Sequence, residues 1–154
     1  MNEKNVKSLI DICFRAKQVT EMMPKLPKDV KPRHIHIIEA IENISHNQEY
    51  VKISDISKSF NITMPSVTKL INEMVKINLV RKINESVDKR INFLELTEKG
   101  LEYYDIYSLN YYRMIAKKLK NMEIYDISVT DKTIENFYSV VKEFKNIDLS
   151  GFEE

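Results

Sequence analysis

The segment Asn61–Leu79, NITMPSVTKLINEMVKINL, decides the fold of this chain. After a short turn, apolar side chains recur at intervals of three and four residues, at Val67, Leu70, Ile71, Met74 and Ile77. Residues at this spacing share one side of an α-helix. The pattern therefore predicts a helix with a single stripe buried against a core.

A shorter helix is predicted directly before this one. Ser54 is the expected N-cap of a helix over Asp55–Phe60, and Asn61-Ile62 supplies a tight turn. Thr63 is the expected N-cap of the second helix, and Asn78 follows it where a left-handed residue usually ends a helix. Two short helices joined by a tight turn form a helix-turn-helix.

The exposed side of the second helix is polar and has small residues near its N-terminus. It carries Pro65, Ser66, Lys69, Asn72, Glu73 and Lys76, with Thr68 at its edge. Hydroxyl, amide and ammonium groups of this kind can approach phosphates and bind base edges in DNA. The helix is therefore a candidate recognition helix.

A two-stranded ribbon is predicted downstream, with Asp88-Lys89-Arg90 near its middle. The ribbon ends at Thr97, which is the expected N-cap of another helix, with Leu96 and Leu101 in hydrophobic-staple positions. An arginine projected from a ribbon and oriented by a nearby carboxylate suits the narrow minor groove of DNA. A surface hairpin with incidental charges is the alternative, but the preceding helix-turn-helix favours a DNA-binding wing.

The charge of the chain is concentrated in this region. The chain has a net charge of +1, while Tyr50 to Asn92 contains eight basic and four acidic residues, which gives 8 − 4 = +4. The remainder is then +1 − 4 = −3. A basic module on an acidic body is expected of a protein that binds phosphates, although a solvated charged face would look the same.

Length and composition indicate the broad class. A chain of 154 residues is long enough for one domain with its own core. It has no apolar stretch near the roughly 20 residues of a membrane span, and its first residues do not resemble a signal peptide. A single cysteine excludes an internal disulfide and suits a reducing cytoplasm. No phosphate loop, nucleophile elbow or metal-ligand spacing is present, so neither an enzyme nor a metal or other cofactor is predicted.

Helical patterns on both sides of the winged helix-turn-helix complete the predicted organisation. Single helices are expected over about 6–23, 33–44, 98–122 and 131–146, the last capped by Thr130. The predicted chain is a single domain, 1–154, that is mainly α with a minor α+β part. Its DNA-binding module covers 50–97, and helices in 1–46 and 98–149 form a dimerisation region.

Two segments resemble the MarR family of bacterial transcriptional regulators. Ser66–Val80 is similar to the recognition helix of that family, and Asp88–Gly100 is similar to its wing. The resemblance extends over nearly the whole chain. It departs at Asn78, where the family usually has glycine, but asparagine also tolerates the left-handed conformation. The resemblance implies a cytoplasmic, homodimeric DNA-binding protein, a repressor whose two recognition helices lie about 34 Å apart on a palindromic operator.

Specific roles follow for the candidate DNA-binding residues. Ser66, Thr68, Lys69 and Asn72 are expected in the major groove, with Asn72 on adenine and Thr68 on a phosphate. Lys76 lies on the same face. Arg90, steadied by Asp88, is expected in the minor groove, with Lys89 and Arg81 on backbone phosphates.

The resemblance also implies a small aromatic or phenolic effector, which would weaken DNA binding by changing the spacing of the two modules. Tyrosines near the expected junction of the dimerisation and DNA-binding regions could orient such a ligand, and the candidates are Tyr104, Tyr107 and Tyr111. Half-buried packing of these rings is the simpler interpretation.

Two alternatives remain open. Cys13 precedes Phe14, as in a peroxide-sensing branch of the family, but it lies on the apolar stripe of the first helix with Leu9, Ile10 and Ala16. A buried, unreactive thiol is therefore favoured. A winged helix can also act as a protein-interaction scaffold without specific DNA binding, but such a surface should expose apolar anchors.

Overall fold

The computed structural model describes residues 1–83 and 93–148. The elements in these residues, in chain order, are α1 (Glu3–Glu21), α2 (Pro32–Ser45), β1 (Val51–Lys52), α3 (Ile53–Phe60), α4 (Met64–Lys76), β2 (Val80–Ile83), β3 (Phe93–Leu96), α5 (Glu98–Tyr104), a π-helical segment (Asp105–Asn110), α6 (Tyr111–Lys118) and α7 (Ile124–Glu143). The chain divides into two compact units, Met1–Arg113 and Met114–Glu154.

The helix-turn-helix consists of α3 and α4, as the sequence predicts. Val67, Ile71 and Met74 of the predicted stripe are fully buried, and Leu70 and Ile77 pack against the same core. The α4 stripe lies against α2, which contributes buried isoleucines at positions 35, 37, 38 and 41. The turn depends on Asn61, whose left-handed backbone has φ 50°. Asparagine adopts this conformation more readily than most residues.

The predicted cap at Ser54 is wrong. Helix α3 begins at Ile53, and the cap position belongs to Lys52, whose amide donates to Asp55 Oδ2 at 2.9 Å. The carboxylate of Asp55, in the first turn, thus accepts the backbone amide of the residue at the cap position. Thr63 does stand at the cap position of α4, but its hydroxyl lies 2.9 Å from Ser66 Oγ rather than capping the backbone.

The wing strands belong to a three-stranded antiparallel sheet with the order β1-β3-β2. In β2 and β3, Val80 pairs with Leu96 and Arg81 pairs with Glu95. The third strand, β1, was not predicted, because two residues are too short to show an alternating pattern. Its Val51 is buried and pairs with Leu94, so β1 joins the sheet to the core of the helix-turn-helix.

The end of α4 and the start of α5 are joined by close contacts at one corner of the fold, formed by Asn78, Leu79, Thr97 and Gly100. Asn78 has φ 59°, as predicted for the residue that ends the helix. Thr97 caps α5 as predicted: its Oγ1 accepts from the Gly100 amide at 3.1 Å and donates to the Asn78 carbonyl at 2.6 Å. Gly100 packs so closely that a Cβ there would lie 2.2 Å from the Leu79 carbonyl oxygen. The corner therefore fixes the direction in which α4 leads into the wing.

Gly100→Ala should lower the free energy of unfolding by about 1–3 kcal/mol, because the added methyl group meets backbone that cannot move aside as a side chain would. Alanine improves helix propensity by roughly 1 kcal/mol, which is too little to offset the clash. Urea denaturation measures the difference. Glu102→Ala, an exposed change in the same helix, is the matched control and should shift stability by less than about 0.5 kcal/mol. Equal midpoints for Gly100→Ala and wild type would contradict this account of the corner.

The C-terminal helices differ from the prediction in two places. The helix expected over 98–122 ends at Lys118 and contains the π-helical segment Asp105–Asn110. The last helix begins at Ile124 rather than Asp131. Thr130 does not cap it, because its hydroxyl donates to the Asp126 carbonyl at 2.7 Å within the helix. Threonine side chains make this i−4 bond when a helix continues through them.

Both the first and the last helix present apolar side chains to solvent. Neither α1 nor α7 contains a buried residue. Phe14 of α1 is 65% exposed, Val141 of α7 is 49% exposed, and Phe144, at the C-cap of α7, is 55% exposed. Exposed apolar faces of this extent usually mark an interaction surface. Over residues 1–83 and 93–148, no helix is both long and apolar enough to cross a membrane.

Candidate nucleic-acid interface

The outer side of α4 is a continuous polar surface. Ser66, Lys69, Asn72 and Lys76 are exposed, and Thr68 is half-buried. Together with Met64, Pro65 and Glu73, most of this face lines a shallow depression of ≈620 Å³ formed by α4 residues alone. The structure therefore brings the five predicted α4 residues onto one accessible face, which suits insertion of a helix into a groove.

Thr68 does not point its proton outward. Its Oγ1 donates to the Met64 carbonyl at 2.8 Å, one turn earlier in α4. A phosphate oxygen can only accept hydrogen bonds, so the predicted phosphate contact requires this hydroxyl to rotate.

Two wing residues on β2 already have partners. Arg81 Nε donates to Glu95 Oε2 across the paired strands, and this bond raises the pKa of the Arg81 guanidinium. Lys82 Nζ donates to Asn72 Oδ1 at 2.8 Å, which joins β2 to the exposed face of α4. Glu95 thus offsets part of the positive charge predicted for phosphate binding. The remaining wing residues of the prediction, Asp88, Lys89 and Arg90, lie outside the described residues.

Glu73 ties the candidate recognition helix to the start of α2. Its Oε2 accepts from Lys31 Nζ at 2.7 Å and lies 3.2 Å from His34 Nε2. These two bonds lower the pKa of the Glu73 carboxyl. His34 Nδ1 accepts from the Lys31 amide, so the ring proton lies on Nε2 and points to Glu73. The His34 side chain is only 1% exposed, and its burial lowers the pKa of the imidazole.

A second polar network joins α1, α2 and α6. His36 Nε2 donates to the Thr20 carbonyl at 3.0 Å, and its Nδ1 lies 3.3 Å from Glu39 Oε2. The hydrogen bond with Glu39 raises the pKa of His36. Tyr112 donates its hydroxyl proton to the other Glu39 oxygen, and burial and this carboxylate raise the tyrosine pKa. Neither network was predicted, because Glu73 lies 39 residues from His34 and Tyr112 lies 73 residues from Glu39, and no local pattern relates them.

The two histidines should give stability opposite pH dependences. His34 has a lowered pKa, so its contribution to the free energy of unfolding is fully present above pH 6.5. This contribution is lost as the pH falls through the pKa of His34 in the folded state. His36 has a raised pKa, so its contribution is present below pH 6.5 and is lost as the pH rises.

Urea midpoints at pH 5.5 and 7.5 test this for two matched variants. His34→Gln should lose less stability on acidification than wild type, and His36→Gln should lose more. Parallel pH profiles for both variants would contradict the assignment.

The candidate ligand tyrosines take part in packing. Tyr104 and Tyr107 pack against the buried core, and Tyr107 meets Tyr103 edge to face at 5.3 Å. The Tyr111 hydroxyl donates to the Met22 carbonyl at 2.8 Å. A ligand contact through these rings stays a prediction. A separate cavity of ≈270 Å³ lies between α1, α2 and the helix-turn-helix, and its lining includes Lys17, Arg33, His36, Ile37, Phe60 and Leu70.

Cys13 is not enclosed by the apolar stripe of its helix. The thiol is partly exposed, Leu9 is half-buried, and Ile10 and Ala16 are exposed. The expectation of a thiol buried within its own chain is therefore wrong, because α1 packs too little of its surface against this chain. Within residues 1–83 and 93–148, no three His, Cys, Asp or Glu side chains are grouped to hold a metal ion.

Comparison with known proteins supports the winged helix fold. Residues 30–100 match the family described as a winged helix DNA-binding domain. The transcriptional regulator AdcR of Streptococcus pyogenes serotype M6 is 31% identical over 93 residues, which cover 54% of this chain and 63% of that protein. The chain thus matches less than two thirds of this relative's length.

Solved structures extend the similarity to most of the chain. Streptococcus pneumoniae FabT, crystallised in complex with DNA, is 21% identical, with a TM-score of 0.65 over 94% of this chain and 100% of FabT. The transcription regulator MarR of Oenococcus oeni PSU-1 is 17% identical, with a TM-score of 0.64 over 87% of this chain and 98% of that one. These values confirm the predicted fold class. Residues 30–100 match a winged helix DNA-binding domain, and most of the chain shares the fold of these solved regulators.

Proposed function

We propose that this protein is a sequence-specific DNA-binding transcriptional regulator that represses genes from a palindromic operator. The observation that carries the proposal is the α4 face, which is exposed, polar and basic while the opposite stripe packs against the core. A helix that is held rigidly on one side and presents amide and ammonium groups on the other suits the major groove. The DNA complex of FabT, which shares this fold, supports the proposal.

The active form is proposed to be a homodimer. The exposed apolar faces of α1 and α7 supply surface that a second copy would cover, and closed two-fold symmetry is the commonest arrangement of such pairs. Two α4 helices about one DNA turn apart would then bind two half-sites. This arrangement matches the palindrome proposed for the operator.

A small aromatic or phenolic effector is proposed to release the DNA. The cavity near Lys17, Arg33 and His36 combines positive charge with the apolar side chains of Phe60 and Leu70. It touches α1, α2 and α4, so an occupant could change how the recognition helix is held. Tyr104, Tyr107 and Tyr111 remain the other candidate ligand contacts.

Fluorescence anisotropy with duplex DNA from the region flanking the protein's own gene tests the function. We expect saturable, salt-dependent binding that unrelated DNA of equal length does not match. Salicylate, as a probe of aromatic acids, should lower the affinity. Equal affinity for both duplexes would reject sequence-specific recognition and favour the protein-interaction scaffold. Cumene hydroperoxide tests the peroxide-sensing alternative: a loss of binding that Cys13→Ser abolishes would indicate that Cys13 is the sensor.

A further inference from the structure

The hydrogen bond between Lys82 and Asn72 fixes the orientation of an exposed carboxamide on the recognition helix. Lys82 Nζ lies 2.8 Å from Asn72 Oδ1. An ammonium group can only donate, so the oxygen of the amide must face Lys82 and its nitrogen must face away. Within residues 1–83 and 93–148, Asn72 Nδ2 has no hydrogen-bond partner, so both of its N–H groups are available.

The backbone holds these two residues in a fixed relation. Strand β2 follows α4 directly, and the Leu79 amide at their junction donates to the Met74 carbonyl at 2.9 Å. Leu79 and Val80 are buried, and Val80 pairs with Leu96 in the sheet. Lys82 therefore reaches Asn72 from a strand that is held at its start by the end of α4 and along its length by β3.

The pair presents hydrogen-bond donors outward. Asn72 Oδ1 accepts from Lys82 with one of its two lone pairs, and the donors that remain are the two protons of Nδ2 and two protons of the Lys82 ammonium. In the major groove guanine presents two acceptors, N7 and O6, whereas adenine presents the acceptor N7 beside the donor N6. An adenine at this position would bring its N6 donor toward the Lys82 ammonium, which can also only donate. The donor set on this protein therefore matches guanine better than adenine.

We propose that Lys82 determines base specificity by turning Asn72 into a guanine-binding residue. One Nδ2 proton and one Lys82 proton bind N7 and O6 of a guanine in each half-site. This assignment replaces the adenine contact expected from Asn72 alone. It rests on the proposed function, because it specifies the base that the recognition helix selects. Phosphate oxygens are also acceptors, so the test must separate a base contact from a backbone contact.

Selection from a randomised 30-bp duplex library with the full-length protein tests the proposal. The wild type should enrich a two-fold symmetric motif, and the base pair whose preference disappears with Asn72→Ala marks the position that Asn72 reads. We expect guanine there, and replacement by adenine should weaken wild-type binding about tenfold or more in anisotropy titrations. Lys82→Met keeps the length of the side chain but frees the amide oxygen. With this variant the preference for guanine over adenine should fall to about threefold or less, or reverse.

Lys76→Met is the matched control, because it removes one positive charge from exposed α4 surface without touching the Asn72 carboxamide. It should weaken binding to all sequences equally and keep the guanine preference. If Lys82→Met behaves in the same way, Lys82 is a phosphate contact and the proposal is wrong. Adenine enriched at the Asn72 position would also overturn it. If the wild type enriches no motif, the proposed function fails as well, so the two failures are distinguishable.

Discussion

Val141→Asp is expected to convert the proposed dimer into a monomer and to reduce its affinity for operator DNA by about 10²–10⁴-fold. Val141 is 49% exposed on α7, so an aspartate there removes no contact buried within its own chain. In a dimer the carboxylate would lie in a covered apolar face, and burying an unpaired charge is strongly unfavourable. Without the partner, each operator half-site binds independently and the gain from bivalent binding is lost. Light scattering coupled to size-exclusion chromatography and anisotropy titration measure the two effects.

Ser139→Asp is the matched control for this change. Ser139 is exposed on the same helix, where its hydroxyl donates to the Glu135 carbonyl, and it lies away from the apolar face of α7. The same added charge should leave both assembly and DNA affinity unchanged. A dimeric Val141→Asp protein with wild-type affinity would exclude α7 from the interface.

Arg90→Ala is expected to weaken operator binding at least tenfold while the protein stays folded and dimeric. The reason comes from the sequence, since Arg90 lies outside the described residues: it stands between β2 and β3, two residues after Asp88. An arginine in a narrow minor groove gains from the enhanced negative potential there, and loss of one such contact costs about 1–3 kcal/mol. Anisotropy titration at moderate salt, with circular dichroism as a folding check, measures the effect.

Lys89→Ala tests whether Arg90 contributes a minor-groove contact in addition to its positive charge. This variant removes an equal charge from the neighbouring residue, which is predicted to bind only a backbone phosphate. It should weaken binding less than Arg90→Ala and reduce the slope of log affinity against log salt by about 1. Equal effects of the two variants would mean that Arg90 acts only through its charge.

The sequence was sufficient for features that depend on neighbouring residues. The buried stripe of α4, the left-handed Asn78 and the Thr97 cap each follow from a local pattern, and the structure contains all three. The caps at Ser54 and Thr130 were wrong for a local reason too. At the start of α3, Asp55 accepts the backbone amide of Lys52 in place of a serine cap. Helix α7 begins at Ile124, before Thr130.

Features that join distant parts of the chain could not be predicted in this way. His34 and Glu73 are 39 residues apart, and no periodicity relates them. The orientation of the Asn72 carboxamide is set by Lys82 on a different element, so its residue type alone suggested adenine. The sequence thus identified which face of α4 is exposed, but the chemistry of that face depends on contacts that only the folded chain creates.

The π-helical segment Asp105–Asn110 changes how mutations in this helix will be tolerated. A π turn holds about one residue more than an α turn, and each residue in an α-helix turns the chain by about 100°. The π turn therefore absorbs one extra residue within a full rotation, and it keeps Tyr111 and Tyr112 facing the Met22 carbonyl and Glu39. If the same residues formed a regular α-helix, both tyrosines would be rotated by about 100° and these hydrogen bonds would be lost. Homologous chains that keep the two bonds should therefore either keep the π turn or lack one residue within 105–110.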